Sequence, residues 1–454
     1  MDLLLALDPT LPSSRALEGA LREAIRTGRL SPGQLLPSSR ALAADLGVAR
    51  GTVVTVYEQL VAEGWLDARQ GAGTTVARIA APPARDQVFT APRAVTRWRP
   101  LRPGIPDLST FPRQQWSRAM HRAVTAAPAT DLGYGDAGGP ADARTELAQY
   151  LRRTRGVVAD ADDVLFTTGV AQGLTLVARV LAARGRRTVA LEDPGSLPVR
   201  EPLAAAGLRM LPAPVDDDGL IVDELPGDAD ACLVTPAHQF PLGVAMASQR
   251  RTALIDWATD RHLILEDDYD AEFRYDRRPI SAVQPLNPAA VAHVGSVSKT
   301  LAPALRIGWL VTPRSLRDEV LAAKLHDDIA STTLNALAFA ELIRSGAYDR
   351  HLRAQRRHYR RRHARVSEIL ADHRWHVPGV AAGLHLVAVE PDLGAAARAS
   401  QRADELGLDV PTLSSYRAIP RPPDHPDGLV IGFAAINASE ERDVLTRLDA
   451  ALTA

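Results

Sequence analysis

The stretch Gly295-Ser296-Val297-Ser298-Lys299-Thr300-Leu301-Ala302-Pro303-Ala304-Leu305-Arg306-Ile307-Gly308-Trp309 carries one of only two lysines in a chain of 454 residues and 53 lysines plus arginines. The other is Lys324. A guanidinium stays protonated at any physiological pH, whereas a lysine amine can lose its proton and condense with an aldehyde. A lysine placed only for its charge would have been written arginine here, as almost everywhere else in this chain. Lys299 therefore predicts Schiff-base chemistry at the end of the apolar run Val291-Ala292-His293-Val294.

Working outward, short β-rich runs alternate with longer helical patterns: Val164-Leu165-Phe166, Thr188-Val189-Ala190-Leu191, Cys232-Leu233-Val234, Leu263-Ile264-Leu265 and Val291–Val294. That alternation predicts a mostly parallel sheet covered by helices, with its ligand at the strand ends. After Phe166 comes Thr167-Thr168-Gly169-Val170-Ala171-Gln172-Gly173, a glycine turn into a helix whose free amides suit a phosphate. Taken alone, such a turn is more often structural. Ser296 and Ser298 flank Lys299, and Arg306 follows seven residues on, so hydroxyls and a guanidinium can join those amides. After Leu265 the chain reads Glu266-Asp267-Asp268-Tyr269-Asp270. A metal site is a poor explanation, because no histidine pattern or calcium-loop glycine accompanies these acids. A pyridine ring explains them better: a carboxylate keeps the ring nitrogen protonated and a tyrosine hydroxyl bonds the ring's phenolic oxygen. Amine, acid and phosphate loop together specify pyridoxal 5'-phosphate.

The chain's length suggests two or three domains. With 46% hydrophobic and 24% charged residues and a formal net charge of -1, it has ordinary globular composition. DNA binding would have to come from a local patch. The single cysteine, Cys232, lies in an apolar run, which excludes an intrachain disulfide and fits a reducing compartment. The N-terminal residues Met1–Pro9 are apolar but short and broken by acids and proline, so they read as neither signal peptide nor membrane span. A cytoplasmic protein without membrane partners is expected.

Residues 1–77 read as a winged helix-turn-helix. Leu17, Leu21 and Ile25 recur at helical spacing before Gly28; Ser38 or Ser39 caps a second helix; Gly47 allows a tight turn; a third helix runs from about Ala49 with Val53, Tyr57 and Leu60 inward. Two short strands around Gly71-Ala72-Gly73 form the wing. Arg40, Arg50, Thr52 and Thr55 lie on polar faces, and Arg69 and Gly71 on the wing, as phosphate and base contacts would require. By pattern alone, a solvated polar face explains them equally well. The run Leu36-Pro37-Ser38-Ser39-Arg40-x-Leu42-Ala43-x-x-Leu46-Gly47-Val48-x-Arg50-x-Thr52-Val53, with Tyr57-Glu58-Gln59-Leu60 and Glu63-Gly64, resembles the GntR winged helix. The resemblance implies that Arg40 and Arg50 contact an operator in double-stranded DNA. Val54 and Ala49 stand where many relatives have a basic residue and a serine or threonine. Residues 78–100 mix alanine, proline and arginine without period and read as a linker.

Residues 101–454 resemble a fold-type I aminotransferase, an α/β transferase fold with a smaller C-terminal α/β lobe from about residue 344. Joined to the winged helix, the whole chain resembles the MocR/GabR regulators, including their PdxR group. The residues that carry this are Arg102-Pro103-Gly104-Ile105-Pro106-Asp107-Leu108, Phe111-Pro112, Trp116, Tyr134-Gly135-Asp136, Gly138, Tyr150-Leu151, Arg155-Gly156-Val157, Glu192-Asp193-Pro194-Gly195, Thr235-Pro236-Ala237-His238-Gln239-Phe240-Pro241, the acidic cluster and the Lys299 segment. The resemblance implies Lys299 as Schiff-base lysine, Asp267 on the pyridine nitrogen and Tyr269 on the phenolic oxygen. Ser296, Ser298, Arg306 and the amides of Gly169, Val170 and Ala171 would hold the phosphate, with Tyr134 reaching it from the second subunit of a homodimer.

Three positions depart from an active aminotransferase. Ser196 replaces a tyrosine that stacks on the ring; His238 and Gln239 stand where an asparagine meets the phenolic oxygen, so either can serve; and Val430 stands where an arginine forks onto a substrate carboxylate. Losing that fork removes a contact worth about 1.5–3 kcal/mol. The expected function is a transcriptional regulator in which pyridoxal phosphate is itself the effector. The alternatives are an amine or amino acid effector bound through the cofactor, with Arg417 or Arg421 replacing the fork; a working aminotransferase with a fused DNA-binding domain; and a DNA-binding protein with an idle body.

Overall fold

The computed structural model describes residues 7–8, 10–69, 73–78, 99–259, 261–276, 280–390, 392–420 and 427–453. Gly71, Arg421, most of the N-terminal nine residues and all but the ends of the 78–100 segment lie outside them. The chain divides into two compact units, Met1–Arg97 and Trp98–Ala454.

In the first unit, helices α1 (Ser13–Arg26), α2 (Ser39–Leu46) and α3 (Arg50–Ala62) precede strands β1 (Leu66–Arg69) and β2 (Gly73–Val76). The Ser38 hydroxyl starts α2 by accepting the Ala41 amide at 3.2 Å, and Gly47, at φ 65°, ends it in the left-handed conformation. Leu17, Leu21, Leu42, Val53, Val56 and Leu60 meet Leu66 and Val76 in one core. Arg22 forks onto Glu63 at 2.6 and 3.1 Å, tying α1 to the end of α3. The wing is antiparallel, and Leu35 bridges to Thr75 beside it.

The second unit holds strands β3 (Val164–Thr167), β4 (Thr188–Asp193), β5 (Arg209–Asp216), β6 (Gly219–Leu220), β7 (Ala231–Val234), β8 (Leu263–Asp268), β9 (Val291–Ser296) and β10 (Gly308–Val311). They form one sheet in the order β3-β10-β9-β8-β7-β4-β5-β6. Strands β5, β4, β7, β8 and β9 are mutually parallel, while β10 runs antiparallel between β9 and β3. The C-terminal ends of β3, β4, β7, β8 and β9 therefore share an edge with the start of β10. Buried side chains along nearly every strand reflect helices on both faces, which is why these segments read as continuous apolar runs.

The smaller lobe pairs β11 (His385–Val389) with β12 (Gly428–Gly432) and packs the helices Ala347–Asp372, Ala395–Glu405 and Glu441–Leu452 around them. A Cβ on Gly432 would fall 2.2 Å from the Arg102 carbonyl oxygen. Glycine there lets residues 102–103 cross the end of β12, which carries Gly104 to Lys299. Among the described residues no helix is long and apolar enough to cross a membrane.

Candidate cofactor site and nucleic-acid face

Strand alternation sorts the acidic cluster at the end of β8. Glu266 accepts the amides of Val283 and Gln284 at 2.7 and 3.0 Å. Asp268 takes the Arg155 guanidinium at 2.6 and 3.0 Å and His293 Nε2 at 3.1 Å. Burial opposes ionisation of Asp268, but Arg155 and His293 outweigh it and hold its carboxyl well below the usual range. Asp267, between them, faces the other way. Its Oδ1 is buried without a hydrogen-bond partner. Burial, and then the adjacent Asp268 charge, push its carboxyl up to about 7 against the pull of Lys299.

Lys299 donates from Nζ to the Gly104 carbonyl at 2.5 Å. Burial lowers its ammonium below the ordinary lysine value, against the opposing charges of Asp267 and Asp270. Lys324 is the contrast: fully buried, it donates to both Asp328 oxygens at 2.8 and 2.9 Å and to Ser331 at 2.8 Å, and Ser331 bonds the Phe166 carbonyl. One lysine is locked into packing and the other holds a single backbone acceptor.

The turn at Gly169 (φ 124°) opens the helix Val170–Ala183 with no side-chain cap, while the Thr168 amide is taken by Gln172 at 2.8 Å. A Cβ on Gly169 would lie 3.4 Å from the Arg306 guanidinium, and one on Gly308 would lie 2.7 Å from Gly169 Cα. Two glycines thus let β10 lie against the turn and set Arg306, itself in the left-handed region at φ 52°, beside the free helix amides. Ser296 is buried and accepts the Ser298 amide at 3.3 Å; Ser298 is half-buried beside Lys299.

Tyr269 is half-buried and its hydroxyl lies 3.1 Å from His238 Nδ1, which is 3.0 Å from Asp270. Burial, then the Asp270, Asp267 and Glu192 charges, hold the phenol well above its usual value. Gln239 is engaged away from this group. Its amide donates to the Pro194 and Phe240 carbonyls at 2.9 and 2.8 Å and to Glu192 at 3.3 Å, and its oxygen accepts the Leu242 amide at 2.9 Å. Gln239 holds a loop, and His238 alone of the pair reaches Tyr269. Phe240, assigned no role by the sequence, packs its ring against Tyr269, His385 and Tyr416 at 4.9–6.2 Å between centroids. Tyr134 is 83% exposed.

Ser196 is half-buried after Glu192-Asp193-Pro194-Gly195. Asp193 accepts the Ala418 and Ile419 amides at 2.6 and 3.0 Å, which brings the segment around Arg417 to this loop. Arg417 Nε is buried without a partner. Val430 is fully buried with Val387 and Leu413, against Leu242 and Tyr416. Hydrocarbon fills the position where a guanidinium would project.

On the first unit, Arg40, Arg50, Thr55 and Arg69 are exposed and Thr52 is half-buried. Arg40 precedes Gly47 on α2, Arg50 opens α3, and Arg69 ends β1.

The comparisons with known proteins agree with both units. Residues 13–76 match the family of bacterial regulatory proteins, gntR family, and residues 104–445 match aminotransferase class I and II. The chain is 33% identical to the HTH-type pyridoxine biosynthesis transcriptional regulator PdxR of Corynebacterium glutamicum, over 100% of this chain and 99% of that protein. It is 34% identical to the probable rhizopine catabolism regulatory protein MocR of Rhizobium meliloti, over 79% of this chain and 77% of that one. Among solved structures, a kynurenine aminotransferase of Pyrococcus horikoshii superposes with a TM-score of 0.68 at 22% identity, over 78% of this chain and 90% of that one. An α-aminoadipate aminotransferase, LysN, of Thermus thermophilus gives 0.66 at 22% identity, over 77% of this chain and 90% of that one. A gntR-family winged helix followed by an aminotransferase class I and II fold, with one regulator similar over its full length and another over most of it, means that the chain belongs to the MocR-type transcriptional regulators.

Proposed function

We propose that this protein regulates transcription by sensing pyridoxal 5'-phosphate held at Lys299, with the cofactor itself as effector. The observation that carries the reading is the unpartnered, buried Asp267 Oδ1 close enough to Lys299 for each charge to shift the other. A protonated ring nitrogen is the partner such an oxygen lacks. The glycine-lined turn beside Arg306 fits a phosphate in the same way, because a Cβ at Gly169 would occupy the space under the guanidinium. When bound, the cofactor supplies an aldehyde for the lysine and an electron-withdrawing ring.

The chain's own groups would divide the work. Asp267 holds the ring-nitrogen proton, Tyr269 donates to the phenolic oxygen, and Ser296, Ser298, Arg306 and the amides of Gly169, Val170 and Ala171 bind phosphate. Tyr134 adds a hydroxyl from the second subunit of a homodimer. Residues 1–77 would read DNA through Arg40, Arg50, Thr52, Thr55, Arg69 and Gly71, joined by a linker at 78–100 to a sensing module at 101–454. The protein would work in the cytoplasm. Sensing rather than turnover is favoured by the hydrocarbon around Val430, which leaves a substrate carboxylate no fork there. The Corynebacterium glutamicum relative is a regulator of pyridoxine biosynthesis, which points the same way.

The test is binding to DNA upstream of the protein's own gene, titrated with pyridoxal phosphate in the absence of amines, for wild type and Lys299→Ala. The cofactor alone should change the affinity or footprint of wild type and leave the variant unmoved. A visible cofactor band with unchanged DNA binding would instead favour a second version, in which an amine or amino acid is the effector. The partnerless Nε of Arg417, in a segment bonded to the Asp193 loop, supports that version. Turnover of common amino donors would make the chain an aminotransferase.

A further inference from the structure

The half-buried Tyr269 meets His238 and Asp270, both of them buried. His238 Nδ1 lies 3.0 Å from Asp270 Oδ2 and 3.1 Å from the Tyr269 hydroxyl oxygen, with the imidazole and phenol rings stacked at 30°. One ring nitrogen cannot serve both neighbours in the same way. It either carries a proton and donates to the carboxylate, or offers a lone pair to the phenol proton. A carboxylate is the stronger acceptor, so the geometry assigns Nδ1–H to Asp270. The Tyr269 proton is then unclaimed by His238, and Asp270, the carboxylate that also acts on the phenol, is already engaged by Nδ1–H. Glycine at 383 makes the arrangement fit, since a Cβ there would fall 2.1 Å from His238 Cε1 and 2.5 Å from Asp270 Oδ2.

We propose that Asp270 and His238 are positioning residues that keep the Tyr269 proton aimed at the phenolic oxygen of the cofactor, an inference that rests on Lys299 holding pyridoxal phosphate. The residue pattern after β8 assigns only Asp267 and Tyr269 to the ring; the second carboxylate of the Asp-Asp-Tyr-Asp run acquires a task through His238. Other charged groups face the same space: Asp267 and Glu192 act on Tyr269, and His363 and His385 lie within the field of His238. Burial pushes both of those imidazoles down, so they stay neutral near pH 7 and leave the aiming to Asp270.

A donor on the phenolic oxygen stabilises the form of the bound chromophore that has lost its proton. Its loss therefore raises the pH midpoint of the cofactor absorption band. The experiment is a spectral pH titration of the full chain loaded with pyridoxal phosphate, as wild type, Tyr269→Phe, His238→Asn, Asp270→Asn, and each of the last two combined with Tyr269→Phe. Tyr269→Phe should raise the midpoint by about one pH unit, a tenfold change. His238→Asn and Asp270→Asn should each raise it in the presence of Tyr269 and add nothing in its absence. Equal shifts in both backgrounds, or no shift from either positioning variant, would overturn the proposal; Asp270→Asn keeps the cycle available should His238→Asn fold poorly. A wild type that forms no cofactor band removes the parent reading as well, whereas a band with additive shifts sinks this inference alone.

Discussion

A residue's neighbours, rather than its type, decide what it does here. Lys299 and Lys324 are the same side chain, yet three bonds to Asp328 and Ser331 fix one of them and a single carbonyl holds the other. Lys324→Met should lower stability by about 1–3 kcal/mol, because it leaves the half-buried Asp328 with the Gln172 amide and frees Ser331, while cofactor uptake in the surviving folded protein stays intact. Denaturant unfolding with absorbance of the loaded protein separates the two effects. Asp267 gives a pH prediction with a definite sign. Its folded value of about 7 lies above the ordinary 3.8, so between those values the folded protein keeps a proton that the unfolded chain has released. Without cofactor, Asp267 therefore costs nothing below pH 3.8 and costs progressively more as pH rises to about 7. Asp267→Asn should melt higher than wild type at pH 8 in the cofactor-free state, with the gap closing toward pH 4. A gap that ignores pH would contradict this origin. At this scale arginine saturation singled out Lys299 in the sequence, whereas Asp267 was picked from the acid-tyrosine run by the family resemblance. Gln239 was ambiguous because its bonds to Pro194 and Phe240 involve backbone carbonyls that no residue pattern announces.

Among the elements, β3, β4, β7, β8 and β9 read directly as apolar runs because both of their faces are covered, whereas the largely half-buried β5 gave no such run. Strand β10 was hidden. Gly308-Trp309-Leu310-Val311 looks like the tail of the lysine loop, and only its pairing with β9 and β3 makes it a strand. Likewise, Arg155 sits in a helix whose sequence gives no sign that its guanidinium reaches Asp268. Arg155→Ala should cost about 3–5 kcal/mol by leaving a buried carboxylate paired only with His293. Urea unfolding at neutral pH measures it, and a loss under 1 kcal/mol would mean the cluster relaxes around the gap. In the first unit, the start and stop of α2 were legible, as Ser38 or Ser39 and Gly47, because a short helix depends on its caps.

For the molecule as a whole, a net charge of -1 leaves little long-range pull toward DNA, so affinity must come from a few exposed cations. Arg50→Ala should weaken operator binding and reduce the slope of log affinity against log salt by about one, the signature of one lost phosphate contact. An unchanged slope would place Arg50 on a base edge or off the DNA. Two copies should assemble, since Tyr134 extends into solvent from a single chain. Tyr134→Phe should weaken cofactor retention, read by dialysis, while sedimentation still reports a dimer.

The contact between Gly308 and Gly169 leaves a tolerance of less than one methyl group between strand and turn. A single added carbon, Gly308→Ala, would keep every charged and polar ligand of the site in the chain and still wedge the phosphate end apart. If the proposed sensing holds, it would have a mechanical off-switch that is invisible in its chemistry, and a variant made that way would reveal how the regulator behaves when permanently blind.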